Sequence, residues 1–139
     1  MNDKIIEFIA KQTCGNLCCV DKKGNPWCFS FFYSYDENEV LLHYKSSEET
    51  RHTPIINANP AVAGTILPDK LNLLQIKGIQ FEGIVLPFDH PLAKHASSHY
   101  YKKHPVGIAM PGEIWTIRVN NIKFTDNTLG FGKKLLWER

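Results

Sequence analysis

Residues 26–35 read PWCFSFFYSY, and this stretch decides the fold. Aromatic side chains fill every second position, and the positions between them are mostly small: Trp27, Phe29, Phe31, Tyr33 and Tyr35 alternate with Cys28, Ser30, Phe32 and Ser34. This alternation predicts a β-strand, because a helix would spread the aromatic rings around its circumference. We expect the aromatic face to join the core and the small face to pack under a helix. A small face would also let a flat ligand approach the strand backbone.

The flanking sequence predicts more strands joined by short turns. Strands are predicted at 17–21, 40–45, 61–67, 73–88 and 113–125 and in the tail 127–139, with helices at 3–13, 46–56 and 89–104 and a loop at 106–112. Ser46 and Glu49 have the spacing of a helix capping box. Gly78 and Gly83 predict bulges or bends, and the alternation of the 113–125 strand changes phase near Asn120. The pattern favours one mainly β domain over 1–139, a closed or nearly closed antiparallel barrel of six to seven strands with about three helices.

The composition is that of an ordinary globular domain. Of the 139 residues, 43% are hydrophobic and 22% are charged, which excludes disorder or a coiled coil as a description of the whole chain. A net charge of +2 predicts no broad electrostatic binding of nucleic acid or of an anionic membrane. No run approaches the ~20 apolar residues of a spanning helix, and the acidic N-terminus has no secretory apolar stretch. We therefore expect a cytoplasmic protein.

The four cysteines (Cys14, Cys18, Cys19 and Cys28) contain no C-x-x-C pair. We expect reduced and mostly buried thiols, because four cysteines in a chain of this length do not make a disulfide scaffold. A zinc site built from Cys14, Cys18 and a distant histidine is disfavoured, since their spacing is looser than most zinc knuckles use.

A cluster of polar side chains follows the predicted strand 40–45. It contains Lys45, Ser46, Ser47, Thr50, Arg51 and His52. Hydroxyls, cations and the free N–H groups of a helix start suit a phosphate monoester. The alternative is that Ser46 and Glu49 only cap the helix and that Arg51 is a solvated surface residue.

Histidines are concentrated in the third predicted helix and its flanks, at positions 90, 95, 99 and 104. His95 and His99 are one helical turn apart, so they could hold a metal or a haem. The alternative is a solvated helix face on which neither residue binds anything. The segment Gly130–Lys134 lacks the spacing of a phosphate-binding loop, and no nucleophile motif is present.

Several motifs in order resemble a known family. Their residues are Pro26-Trp27-Cys28-Phe29-Ser30, Tyr44-Lys45-Ser46, Thr50-Arg51-His52 and Asn59-Pro60-Ala61-Val62. Together they resemble the pyridoxamine 5'-phosphate oxidase-like, FMN-binding split β-barrel proteins. The tail from Ile122 to Lys134 resembles a narrower bacterial subgroup, the YhbP-like proteins.

The resemblance implies an antiparallel Greek-key split barrel that forms a homodimer, with FMN bound in two clefts between the subunits. By resemblance, the backbone of Cys28 through Tyr33 lies beside the isoalloxazine ring. The strand end and helix start would hold the phosphate, and the family often has lysine where this chain has His52. The cofactor-binding residues implied in this way are Cys28, Phe29, Ser30, Phe31, Tyr44, Lys45, Ser46, Thr50, Arg51, His52, Gln80 and Lys133, with Trp115 and Trp137 as further C-terminal contacts.

The function implied by the resemblance is that of a flavoprotein acting on a small molecule. No general acid or base is evident, so hydride or electron transfer by the flavin is favoured. True pyridoxamine-phosphate oxidation is not expected, since the Arg and His pair of those enzymes is missing from the C-terminal segment. Two alternatives stay open: a non-catalytic module that binds or senses flavin or haem, and a structural domain without a cofactor.

Overall fold

The computed structural model describes residues 1–130 and 132–139, so Phe131 of the tail motif lies outside the described residues. The strands are β1 (Cys14–Val20), β2 (Pro26–Asp36), β3 (Leu41–Ser46), β4 (Ala61–Ile66), β5 (Lys77–Leu86), β6 (Glu113–Asp126) and β7 (Lys134–Glu138). The helices are α1 (Asp3–Lys11), α2 (His52–Ala58) and α3 (Ala96–Lys103), with short 3-10 turns at Pro91–Ala93, Pro105–Ala109 and Asn127–Leu129. None of these helices is long and apolar enough to cross a membrane.

Six strands close into an antiparallel barrel, in agreement with the sequence prediction. The sheet runs β3-β2-β1-β4-β5-β6-β7, and pairing of β3 with β6 closes the ring and leaves β7 as an additional strand on β6. The interior is filled by apolar side chains from every barrel strand, including Leu17, Tyr33, Leu42, Ile66, Phe81 and Ile117. Closure removes the free edges of the barrel sheet.

The aromatic face of β2 packs into the core, as its alternation predicted. Phe31 and Tyr33 are buried in the barrel, and Trp27 and Phe29 are partly buried against the same core. The opposite face is only partly covered by a helix, contrary to the expectation: α3 packs against β2, β3 and β6, and Ser34 is buried. The other positions of that face, Cys28, Ser30 and Phe32, are exposed.

The predicted bulge at Gly83 is present. The register between β5 and β6 shifts between Glu82 and Gly83, which pair with Asn121 and Val119, so Asn120 is the extra residue. A Cβ on Gly83 would lie 2.6 Å from the carbonyl oxygen of Arg118, so the close approach of the strands requires glycine here. Gly78, in contrast, lies in regular register opposite Thr125, and the bulge predicted there is absent.

Several predicted boundaries were wrong. Helix α1 ends at Lys11 rather than 13, and β1 begins at Cys14 rather than 17. The strand predicted from residue 73 begins at Lys77. The helix predicted over 89–104 is a 3-10 turn followed by α3, and the loop predicted at 106–112 contains a second 3-10 turn.

The capping box predicted at Ser46 and Glu49 is also absent. Ser46 is the last residue of β3, and α2 begins only at His52. The N-cap residue of α2 is Arg51, and its side chain makes no capping hydrogen bond. Ser46 pairs with Glu113 of β6, so it belongs to a strand and does not cap a helix. Tertiary pairing therefore overrides the local signal.

The cysteine prediction was wrong for two of the four residues. Cys18 and Cys28 face each other on β1 and β2 and are joined by a disulfide. Cys14 is free but exposed, and only Cys19 is the free, buried thiol that was expected. A zinc site that uses Cys14 and Cys18 is incompatible with this pairing. The disulfide lies on the outward side of the barrel, next to the exposed face of β2.

Candidate functional site

The end of β3 and the start of α2 meet on the aromatic face of β2. Nε2 of His52 and Oγ of Ser46 are 2.6 Å apart, and the His52 ring stacks on Phe29 with a centroid separation of 3.5 Å. His52 is buried, and this burial lowers its pKa. The indole nitrogen of Trp115 donates to the carbonyl oxygen of Ser46, which fixes the strand end from the other side. This part of the predicted phosphate cluster is therefore a packed junction.

Arg51 immediately precedes this junction and stays exposed. Its guanidinium lies over the ring of Trp27, with the central carbon 4.0 Å from the ring centroid. Within the described residues the salt bridges are Lys77–Asp126 and His99–Asp36, and neither involves Arg51. Stacking on an indole orients a guanidinium without occupying its N–H donors. The guanidinium of Arg51 is thus fixed by Trp27, and its N–H donors face solvent.

The hydroxyls near Arg51 have roles within the loop. Oγ1 of Thr50 donates to the carbonyl oxygen of Ser47, and it also lies 2.8 Å from Oγ1 of Thr53. These bonds shape the loop that presents Arg51. Thr50 precedes Arg51 in this loop, and its hydroxyl is already hydrogen-bonded there.

Tyr44 and Lys45 point to opposite sides of β3, as neighbours on a strand must. Tyr44 is buried among aromatic rings, and its hydroxyl has no hydrogen-bond partner in the part of the chain that the structure describes. Burial raises the pKa of Tyr44. Nζ of Lys45 donates to the hydroxyl of Tyr101 at 2.7 Å and to the carbonyl oxygen of Gly107 at 2.8 Å. The structure therefore brings Ser46, Thr50, Arg51 and His52 together and places Lys45 against α3 and the turn that follows it.

An open groove of about 710 Å³ lies on the outward face of the sheet. This volume is within the range of small-molecule sites. The groove crosses five strands and is lined by Asn16, Cys18, Ala63, Gly64, Thr65, Gln80, Phe81, Glu82, Asn121, Ile122, Lys123, Leu136, Trp137 and Glu138. Of the predicted residues, Gln80 and Trp137 line it.

The remaining predicted residues lie outside this groove. Cys28 adjoins it through the disulfide to Cys18, and Ser30 lies on the same outward face, with its hydroxyl bonded to Asn16. Phe31 and Trp115 are buried in the core, and Lys133 is exposed just before β7. Sequence reasoning missed Asn16, Cys18 and Leu136 as lining residues. The alternation along each strand, which predicts which side chains point outward, could have identified them.

The four clustered histidines have separate surroundings. Nδ1 of His90 accepts from the backbone N–H of Leu92, and Nε2 of His104 lies 2.7 Å from the carbonyl oxygen of Tyr33. His95 is exposed, whereas Nε2 of His99 is 3.5 Å from a carboxylate oxygen of Asp36. His99 thus belongs with side chains of the sheet and not with His95.

Solved structures with the same fold support the architecture. A haem-binding protein from Mycobacterium smegmatis matches with a TM-score of 0.78 at 14% identity; the match covers 94% of this chain and 55% of that longer chain. An FAD-binding protein from Mesorhizobium loti matches with a TM-score of 0.68 at 18% identity over 91% of this chain and 94% of its own. The haem storage protein HutZ from Vibrio cholerae matches with a TM-score of 0.63 at 15% identity over 99% and 93%. At these identities the likeness shows the fold.

Sequence relatives are much closer than these structures. No family model matches the chain. A UPF0306 protein from Photorhabdus laumondii is 39% identical over 135 residues, which are 97% of this chain and 94% of the relative. The UPF0306 protein YhbP from Salmonella schwarzengrund is 39% identical over 121 residues, 87% of this chain and 82% of the relative. With this identity over nearly its whole length, the chain belongs to the UPF0306 family, which includes the YhbP proteins.

Proposed function

We propose that this protein binds FMN and uses it as an oxidoreductase on a small molecule, as a member of the pyridoxamine 5'-phosphate oxidase-like class of split barrels. The observation that carries the proposal is Arg51, a cation held on Trp27 with its donors free and no carboxylate partner among the described residues. A guanidinium of this kind suits the two-pronged binding of a phosphate.

We assign the rest of the cofactor to the outward face of β2, opposite to the face that Trp27 and Arg51 occupy. The outward face of β2 offers Cys28 and Ser30, short side chains that leave the backbone accessible to a flat ring. The neighbouring groove adds Gln80, whose amide can donate to and accept from a heterocycle. In this arrangement Arg51 binds the phosphate, Cys28 and Ser30 border the ring, and Gln80 orients it.

Flavin supplies hydride or electron transfer when it is bound. The contribution of the chain is to bind, to orient and to exclude water. No proton transfer is assigned to a side chain at this face.

We further propose that the protein is a homodimer with the cofactor at the subunit interface. Large apolar side chains are exposed on the outward sheet face: Phe32 is 60% exposed and Leu136 is 76% exposed. Burial of these side chains between two subunits would contribute favourable free energy to a dimer. Sedimentation analysis should give a dimer for the wild-type chain and a monomer for Phe32→Glu or Leu136→Glu. A wild-type monomer at every concentration would contradict the dimer.

Haem is the second candidate ligand, because two of the solved structures with this fold are those of a haem-binding and a haem storage protein. His95 is exposed and could ligate iron without disturbing the fold. Addition of hemin should then give a Soret band that His95→Ala removes.

The deciding experiment is titration of the purified chain with FMN, followed by quenching of flavin fluorescence. We expect saturable binding, weakened by about 10- to 150-fold in Arg51→Ala, the range for a lost charge-assisted hydrogen bond. Lys4→Ala, which removes one exposed positive charge from α1, is the matched control and should bind as the wild type does. Unchanged affinity in Arg51→Ala would overturn the phosphate assignment, and the absence of any FMN binding would overturn the proposed function.

A further inference from the structure

Three potential metal ligands converge where α3 packs over β2 and β3. They are Asp36 at the end of β2, His43 in the middle of β3 and His99 in α3. One ligand atom from each residue can be chosen so that all three lie within 4.8 Å of one another. Two ligand atoms of one ion lie at most about 4.4 Å apart, because each metal–ligand bond is about 2.0–2.2 Å long. Small side-chain movements would therefore bring the three atoms within reach of one ion.

His43 has a nitrogen without a partner. The side chain is only 1% exposed, and its Nδ1 lies 3.0 Å from Oγ1 of Thr116. Its Nε2 has no hydrogen-bond partner within the described residues. A buried polar atom without a partner is costly, and it calls for a ligand or another explanation.

The contact of His43 with Thr116 resembles the hydrogen bond that orients a metal-binding histidine. A histidine that binds a metal through one nitrogen usually gives its other N–H to an oxygen, which fixes the tautomer and the ring orientation. Donation from Nδ1 to the Thr116 hydroxyl leaves the Nε2 lone pair free.

Asp36 is also oriented. Its Oδ1 accepts from the backbone N–H groups of Asn38 and Glu39 at 3.0 and 3.4 Å. The other oxygen, Oδ2, lies 3.5 Å from Nε2 of His99. The turn therefore holds one carboxylate oxygen and directs the other toward the histidines.

The cluster has access to solvent. The Asp36 side chain is 13% exposed and the His99 side chain is 38% exposed, so His99 forms the outer side of the cluster. An ion could enter past His99 without opening the barrel.

We propose that Asp36, His43 and His99 form a binding site for a divalent first-row transition-metal ion such as Zn²⁺. Two imidazoles and one carboxylate are ligands that such ions favour, and three protein ligands leave a coordination position open to water or to a small molecule. The site uses none of the residues proposed to bind FMN. It links α3 to two barrel strands, so metal binding should stabilise the folded chain.

The test is a titration of the tag-free, chelator-treated chain with Co²⁺, followed through its visible d–d absorption, and then with Zn²⁺ as competitor. We expect saturation at one equivalent and displacement of cobalt by zinc. His99→Ala and Asp36→Asn should each weaken binding by at least about tenfold. Asp36→Asn keeps an Oδ1 acceptor for the turn, and circular dichroism without metal should confirm that both variants are folded.

Two matched controls are available in the chain. Glu48→Gln removes an exposed carboxylate from the loop before α2, and Cys14→Ser removes the exposed free thiol. Both should bind cobalt as the wild type does. Absence of saturable binding, unchanged affinity in His99→Ala and Asp36→Asn, or loss of binding in either control would overturn the proposal.

Discussion

The imidazole of His52 lies flat on the ring of Phe29, with an interplanar angle of 7°. The same imidazole is 2.6 Å from Oγ of Ser46. One side chain therefore connects α2, β2 and the end of β3. The family that the chain resembles often has a lysine at this position, whereas this chain has a histidine whose ring is buried.

This burial predicts a pH dependence of stability. The pKa of His52 lies below its ordinary value of 6.5 because the ring is desolvated. The unfolded chain binds a proton at this residue as the pH falls below about 6.5, while the folded chain does not until a lower pH. The free energy of unfolding should therefore decrease as the pH falls below 6.5. In urea unfolding between about pH 6.5 and pH 5, the free energy of unfolding of His52→Gln should fall less than that of the wild type. An equal decrease in both proteins would show that His52 does not cause the pH dependence.

Lys103 supports the end of α1 from α3. Its ammonium donates to the carbonyl oxygen of Gln12 at 2.5 Å and lies 4.8 Å from the centroid of the Tyr33 ring. Lys103→Met should lower the free energy of unfolding by about 1.5–3 kcal/mol, the usual contribution of a hydrogen bond from a charged group. The control is Lys102→Met, an exposed neighbour that should change stability by less than about 0.5 kcal/mol. Equal effects of the two substitutions would contradict the role of Lys103.

Gly64 leaves room for an aromatic ring in the barrel. A Cβ at this position would overlap the ring of Phe81 and would lie 2.6 Å from the carbonyl oxygen of Asn16. Gly64→Ala should lower the free energy of unfolding by about 1–3 kcal/mol through overpacking. Ala61→Ser, on the exposed start of the same strand, should have little effect. Equal unfolding midpoints for Gly64→Ala and the wild type would show that the ring moves away freely.

The disulfide can be checked by counting thiols. Under non-reducing denaturation the chain should show the two free thiols of Cys14 and Cys19, and it should show all four after reduction. Reduction should lower the free energy of unfolding by about 2–3 kcal/mol, the range expected for so short a closed loop. Four thiols before reduction would show that Cys18 and Cys28 are not joined.

The barrel could be predicted from the sequence because its signals repeat along the chain. Alternation in β2 placed Phe31 and Tyr33 in the core, and Gly83 with the phase change near Asn120 marked the bulge that is present. Each signal uses neighbouring residues and a period of two, so no tertiary information was needed.

The errors came where a distant partner decides the outcome. Ser46 looked like a helix cap, but β6 lies beside it and extends the strand. Cys18 and Cys28 become partners only through the β1–β2 register, which no spacing rule for cysteines includes. Arg51 was identified from its loop, but its position on Trp27 depends on how α2 crosses β2.

Closure of the barrel also sets the order of folding. His43 and Thr116, which meet where β3 pairs with β6, are 73 residues apart in sequence. Contacts of such long range form slowly, since a large loop must be closed before they contribute any stability. On a ribosome the first hairpin is complete long before β6 emerges, and until then β3 has an unpaired edge that can aggregate. The time between the synthesis of β3 and that of β6 therefore sets how long this edge stays exposed in a growing chain.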